Sequence, residues 1–281
     1  MSNRLRWKQL ADDLGVDYSS VDQYSLDFES TWIRLLGKSL TGVEIGTSNN
    51  SGSSLKNAIQ NEVANMPDQE SLVGLWFLDY DVVANEGDAN NQRVFDWSGN
   101  GNHGWRGDST TPNTSSPEGS SFSTGQFVRM PYDPSVYTAE NDPITLGGVA
   151  KQNFDATSYI FARNSNRPSL VYISDGRAIG YVNSGVTANE NRVLNTVEHY
   201  MVAGSGSALY MFKNGVSNGF TNSSSYNADA LGQHMWIGRA ESGFYFDGNI
   251  YCVYLYTSDQ SSNAALINTT INNMLTELGG Q

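Results

Sequence analysis

From Ser71 onward the chain reads as short apolar runs separated by Gly, Ser and Asn. Leu72–Leu78, Phe127–Met130, Val171–Ile173, Ala178–Val182, Tyr200–Ala203, Ala208–Phe212, Met235–Ile237 and Ile250–Tyr256 each have the length and β-branched or aromatic content of a strand. Asp175-Gly176 and Asn214-Gly215 are hairpin turn signals, because both central residues of such turns need positive φ. Apolar residues at helical spacing predict a closing helix over Ala264–Leu278. The last strand is unusual. Strict alternation puts Ile250, Cys252, Tyr254 and Tyr256 on one face and Tyr251, Val253 and Leu255 on the other, and both faces are apolar or aromatic. A face open to water would be more polar, so this strand requires a cover on each side: another chain, the N-terminal residues, or a helix. Successive hairpins at this spacing predict an all-β fold of two packed antiparallel sheets.

Residues 1–70 follow another pattern. Leu5, Trp7, Leu10 and Leu14 fall near helical spacing, Trp32–Leu36 is a short apolar run, Thr47–Ser54 reads as a linker, and Leu55–Ala64 predicts a short helix stopped before Pro67. Too few apolar residues lie here for an independent core. The expected division is an N-terminal docking or anchor segment over 1–70, mostly helical or irregular, and a sandwich over 71–281.

Composition agrees with a sheet-rich protein: 6 Trp, 15 Tyr, 11 Phe and 28 Gly. The formal net charge of −13 argues against a nucleic-acid backbone as partner, since like charges repel. A single cysteine, Cys252, excludes an intrachain disulfide. No apolar run follows Met1 and none is long enough to span a bilayer, so the expectation is a chain made in a cytoplasm and not inserted in a membrane.

Several landmarks occur in a telling order: Leu75-Trp-Phe-Leu-Asp79, Asp96-Trp-Ser-Gly-Asn-Gly-Asn-His-Gly104, Phe127-Val-Arg-Met-Pro131, Tyr200-Met-Val-Ala203 with Leu209–Gly215, Trp236-Ile-Gly-Arg239 and Phe246-Asp-Gly248. Together they resemble the laminin-G-like, concanavalin A-like jelly-roll superfamily over roughly Leu72–Ile267. The resemblance implies a jelly-roll sandwich that recognises glycans. It also implies a structural calcium ion near the Asn-Gly loop, with Asp79, Asp96, Asn100 and Asp247 as candidate ligands. Where the family often has an acidic residue on its last strand, this chain has Tyr251 and Cys252. The bland alternative for Asp96 is a cap on a tight turn.

A sugar has one apolar face and many hydroxyls, so glycan sites pair an aromatic platform with polar side chains. Trp97 and Trp105 bracket Asn102 and His103, and Tyr132 and Tyr137 lie in another polar loop; these six are the candidate glycan residues, while Trp76 and Trp236 are expected in the core. Enzyme signals are weak. Glycoside hydrolysis needs two carboxyl groups flanking the scissile bond, and Glu140-Asn-Asp142 lacks a second Glu at a suitable place. His103, His199 and His234 are scattered, and Gly37-Lys-Ser39 lacks the first Gly of a phosphate loop. The expectation is therefore no enzyme. With no export signal or disulfide, the chain resembles a bacteriophage virion protein: a fibre, tail, collar or capsid-decoration component that docks on other virion proteins and on copies of itself through Trp7, Trp32 and Leu35, and presents a lectin-like domain to host glycans. The competing expectations are a cell-surface lectin or adhesin, a glycoside hydrolase or lyase on the same fold, and a structural cement protein.

Overall fold

The computed structural model describes residues 59–78, 93–94, 96–106, 120–122, 127–130, 143–163, 169–173, 176–181, 186–205, 208–222, 235–239 and 244–277. Trp7, Trp32, Leu35, Asp79, Tyr132 and Tyr137 lie outside these residues. In chain order the strands are β1 (Leu72–Phe77), β2 (Arg93–Val94), β3 (Gly104–Arg106), β4 (Ser120–Phe122), β5 (Val128–Met130), β6 (Ile144–Gln152), β7 (Ser158–Arg163) and β8 (Ser169–Ile173). They continue as β9 (Arg177–Tyr181), β10 (Val186–Asn191), β11 (Glu198–Ser205), β12 (Ala208–Lys213), β13 (Val216–Asn222), β14 (Met235–Ile237) and β15 (Gly248–Tyr256), and the helix α1 (Ala264–Glu277) closes the series.

Two antiparallel sheets result. Among the described residues, sheet A has the order β1-β15-β6-β11-β12-β13, with β4 also paired to β15; sheet B has the order β10-β9-β8-β7-β14-β5-β3-β2. The expected two-sheet jelly-roll sandwich with a short C-terminal helix is what forms. One core lies between the sheets. Sheet A contributes Trp76, Leu146, Tyr200, Val202, Met211, Val253 and Leu255, while sheet B contributes Val128, Met130, Phe161, Leu170, Tyr172 and Ile237. Asn214 (φ 49) and Gly215 (φ 78) make the two-residue turn between β12 and β13.

The alternation expected along the last strand is broken once. A β-bulge between Ile250 and Cys252 moves Ile250 to the core side with Val253 and Leu255. Cys252, Tyr254 and Tyr256 then share the opposite face, and all three are buried. Their cover is α1. Its residues Ile267, Ile271, Met274 and Leu275 are buried, and Asn268 reaches His199 on β11, which in turn meets the Tyr254 hydroxyl. Residues 59–63 form a helical turn beside α1, with Glu62 accepting from Asn273 Nδ2. Asp68 then ties this stretch to the sandwich by accepting from Ser71, Ser258 and Gln260. Those three donors hold its carboxyl below the ordinary carboxylate range.

Candidate functional site

The Asn-Gly loop is a clamp on β1. Asp96 is fully buried, and its Oδ1 accepts the Leu75 N–H at 3.0 Å, the Ser98 N–H at 2.9 Å and the Ser98 hydroxyl at 2.7 Å. Its Oδ2 accepts the Asn102 N–H at 2.9 Å. Burial pushes this carboxyl above its ordinary pKa against the pull of those donors. Asn100 donates to the Leu72 carbonyl, Asn102 donates to the Val73 carbonyl at 2.7 Å, and the Trp76 indole N–H donates to the Asn102 carbonyl at 2.8 Å. His103 Nδ1 accepts the Asp96 N–H at 3.1 Å.

This geometry does not fit a calcium ligand set at Asp96 and Asn100. A hard cation needs carboxylate and carbonyl oxygens turned toward a common point. Here both Asp96 oxygens are turned to backbone and hydroxyl donors, and Asn100 is held by its Nδ2 donating to the Leu72 carbonyl. Asp247 is half-buried on the approach to β15, and the described residues contain no cluster of three or more His, Cys, Asp or Glu able to hold a metal. Asp96 is therefore the turn cap, acting across strands as well as within the turn.

The glycan platform expected on this loop also changes. Trp97 is 3% exposed and packs edge-on against Phe77 at 6.3 Å, so it offers no ring face to a ligand. Asn102 and His103 bend into the clamp. Trp105 lies on β3, where the register sets it opposite Arg129 of β5.

An aromatic surface lies instead on the outer face of sheet B. Trp236, expected in the core, alternates with the core residues Met235 and Ile237 and is only half-buried. The register permits no other outcome: one position either side of a core residue is the opposite face. Phe127 packs edge-on against Trp236 at 4.9 Å. The Arg239 guanidinium sits over Phe127 at 4.8 Å, Trp236 at 5.1 Å and Tyr245 at 5.4 Å. Nearby, Tyr159 meets Phe244, which is 47% exposed. A cation held against three rings fixes their positions without side-chain flexibility. The site was missed because a three-residue strand, Met-Trp-Ile, is apolar at every position and does not announce which side is out.

A second buried polar cluster joins the β6–β7 and β10–β11 connections. Arg192 bonds Gln152 and Asp155, and Glu198 accepts the Val193 N–H at 3.0 Å and the Tyr200 hydroxyl at 2.5 Å while pairing with Lys213. The Arg192–Gln152 and Glu198–Val193 bonds tie loop to strand, Arg192–Asp155 ties the two loops together, and Lys213 ties β12 to β11.

No family model matches the chain, and no curated protein matches it. Solved structures do. Trypanosoma rangeli sialidase in complex with sialic acid superposes over 79% of this chain with TM-score 0.55 and 13% identity, covering 39% of the sialidase chain. The fold is shared with about two-fifths of a sialidase chain. The same enzyme captured as a covalent intermediate with 2,3-difluorosialic acid matches over 85% of this chain, with TM-score 0.54, 13% identity and 40% of that chain covered. The binding domain of botulinum neurotoxin DC, solved with rat synaptotagmin II, matches over 72% of this chain and 52% of its own, with TM-score 0.52 and 10% identity. The chain thus spans about two-fifths of the length of the sialidase chains it matches. At such identities the likeness is one of fold alone: a distant structural link to lectin-like jelly-roll sandwiches. It nevertheless overturns the expectation that this chain is no enzyme. Most of its length superposes on chains of a working glycosidase, so the missing carboxylate motif is no ground for excluding catalysis. The bacteriophage setting has no counterpart among these structures.

Proposed function

We propose that the chain is a carbohydrate-recognition module that binds glycans on the outer face of sheet B. The observation that carries this reading is the half-buried Trp236, braced by Phe127 and Arg239, on a sheet face where water would select polar residues. Its ring offers a flat apolar surface to the C–H face of a sugar, and the guanidinium beside it donates to oxygens. A cell-surface lectin or adhesin is the setting the shared fold supports better. In the virion setting, residues 1–70 anchor the module through Trp7, Trp32 and Leu35, and many copies convert weak sugar contacts into avidity.

Trp236→Ala is expected to weaken glycan binding by about three- to ten-fold, the order of the 0.5–1.5 kcal/mol of one aromatic contact. A glycan array followed by titration calorimetry checks this; unchanged affinity in a folded variant would move the site elsewhere. The likeness to a sialidase favours a second reading, a glycan-cleaving activity on the same fold. Incubation with polysaccharides and sialylated glycans, followed by detection of released sugar, decides it. Removing residues 1–56 and asking whether the remainder still joins particles tests the anchor.

A further inference from the structure

On sheet B, Arg93, Arg129 and Arg177 each neighbour a core residue along their strand (Val94, Val128 and Ala178), so three cations take positions on the outer face. The protein as a whole stands at −13, so this concentration runs against the background. Strand pairing then orders some of these residues. Arg93 lies opposite Trp105, Trp105 opposite Arg129, and Arg129 opposite Trp236. Residues directly opposite in antiparallel strands belong to one face. The result is a cross-strand row, Arg-Trp-Arg-Trp, over β2, β3, β5 and β14. Three interstrand gaps make the row about 14 Å long, which suits an oligosaccharide better than one ring. Arg129 is exposed, and it alternates with the core residues Val128 and Met130, which fixes the row on the outer face. Arg239 adds a further cation at its end, over the Trp236 ring at 5.1 Å.

We infer that this face selects saccharides bearing anionic groups, carboxylate or sulfate, over neutral ones. The inference rests on the carbohydrate reading above and adds the charge of the ligand to it. Neutral sugars need the rings alone; Arg129, exposed and directly opposite Trp236, sets a donor fork beside a stacking surface. The guanidinium fork matches two oxygens of a carboxylate or sulfate at once. An acidic protein that places three arginines on the outer face of one sheet also attracts anions there.

The test uses the full chain and three oligosaccharide probes of equal length: a neutral glucan, a uronic-acid polymer and a sulfated glycan. A short single-stranded RNA of the same charge is the fourth probe. At low salt at least one anionic glycan is expected to bind about ten-fold or more tighter than the neutral glucan. In 1 M salt, where screening acts over about 3 Å, that advantage is expected to shrink to near parity. Which anionic probe leads distinguishes carboxylate from sulfate. Arg129→Gln is expected to narrow the gap several-fold with an unchanged unfolding midpoint, since the residue is exposed; Arg239→Lys, which keeps the charge but loses the fork, serves as a second variant. Equal binding of neutral and anionic probes through Trp236 overturns the charge selectivity and leaves the carbohydrate reading standing. No binding of any saccharide overturns both. RNA binding as tight as that of the best glycan overturns the saccharide class.

Discussion

Replacing Asp96 with Ala is expected to cost the protein about 2–4 kcal/mol, the order of leaving several N–H donors without their acceptor at about 1–3 kcal/mol for each buried one. The carboxylate accepts from Leu75, Ser98 and Asn102, and two of those N–H groups belong to different segments, β1 and the Asn-Gly loop. After truncation the Leu75 and Asn102 N–H groups lose their acceptor, the first of them in a buried position. The Trp76–Asn102 bond and the Asn100 and Asn102 contacts to β1 then lose the turn that aims them. Asp96→Asn keeps one oxygen but turns an amide N–H₂ toward a donor, so an intermediate loss is expected. Urea denaturation of the three proteins measures this. The same experiment with added calcium or with a chelator separates clamp from metal site: a midpoint that rises with calcium in the wild type, and only there, would restore the metal reading.

The second large effect is a loss of stability on acidification. His199 sits fully buried between the Tyr254 hydroxyl at 2.7 Å and Asn268 Oδ1 at 2.8 Å. The arrangement suits a neutral ring: Nδ1–H donates to the Asn268 oxygen, and Nε2 accepts from Tyr254. Burial lowers the pKa from 6.5 to about 4, against the pull of Asn268. The unfolded chain therefore takes up a proton on this residue near pH 6.5, while the folded chain resists until about pH 4. Stability from this site is complete above pH 6.5, falls as pH drops through that window, and is lower by about 3 kcal/mol at pH 4 and below. Other groups titrate too; Asp96, with its raised pKa, works in the opposite direction. The quantity to measure is the difference between wild type and His199→Gln in urea midpoints from pH 7.5 to 4. A constant difference would show that His199 does not carry the effect.

Much of the sandwich is legible in the sequence because its outer strands alternate and its turns carry Asp-Gly and Asn-Gly. β1, β5, β8, β9, β11, β12, β14 and β15 all lie where apolar runs predict them. β6 is different. It is the central partner of both β15 and β11, yet Gly147-Gly148 in its middle reads as a turn. The reason for glycine lies in another part of the chain: a Cβ on Gly147 would stand 2.2 Å from the Tyr254 hydroxyl. Such a requirement is written in a contact between distant residues, and local pattern has no access to it. The bulge at Ile250 is hidden likewise, because both faces of β15 are apolar and a slip of one residue leaves the pattern unchanged. At the candidate site the sequence separates residue types but not sides. Trp97 next to a Gly-rich loop looks displayed and is buried, whereas Trp236 between two core residues looks interior and faces out. Strand pairing decides both, and it is also what aligns Arg129 with Trp105 and Trp236.

The helix laid over Cys252, Tyr254 and Tyr256 has a consequence for crowding. With one broad side capped, neighbours standing shoulder to shoulder lose nothing by touching through their capped sides, while the arginine-bearing side keeps its view of the medium. In a dense layer of such molecules each copy would keep Arg129 and Trp236 turned to the medium, and the layer's response to ionic strength would be steeper than that of one copy.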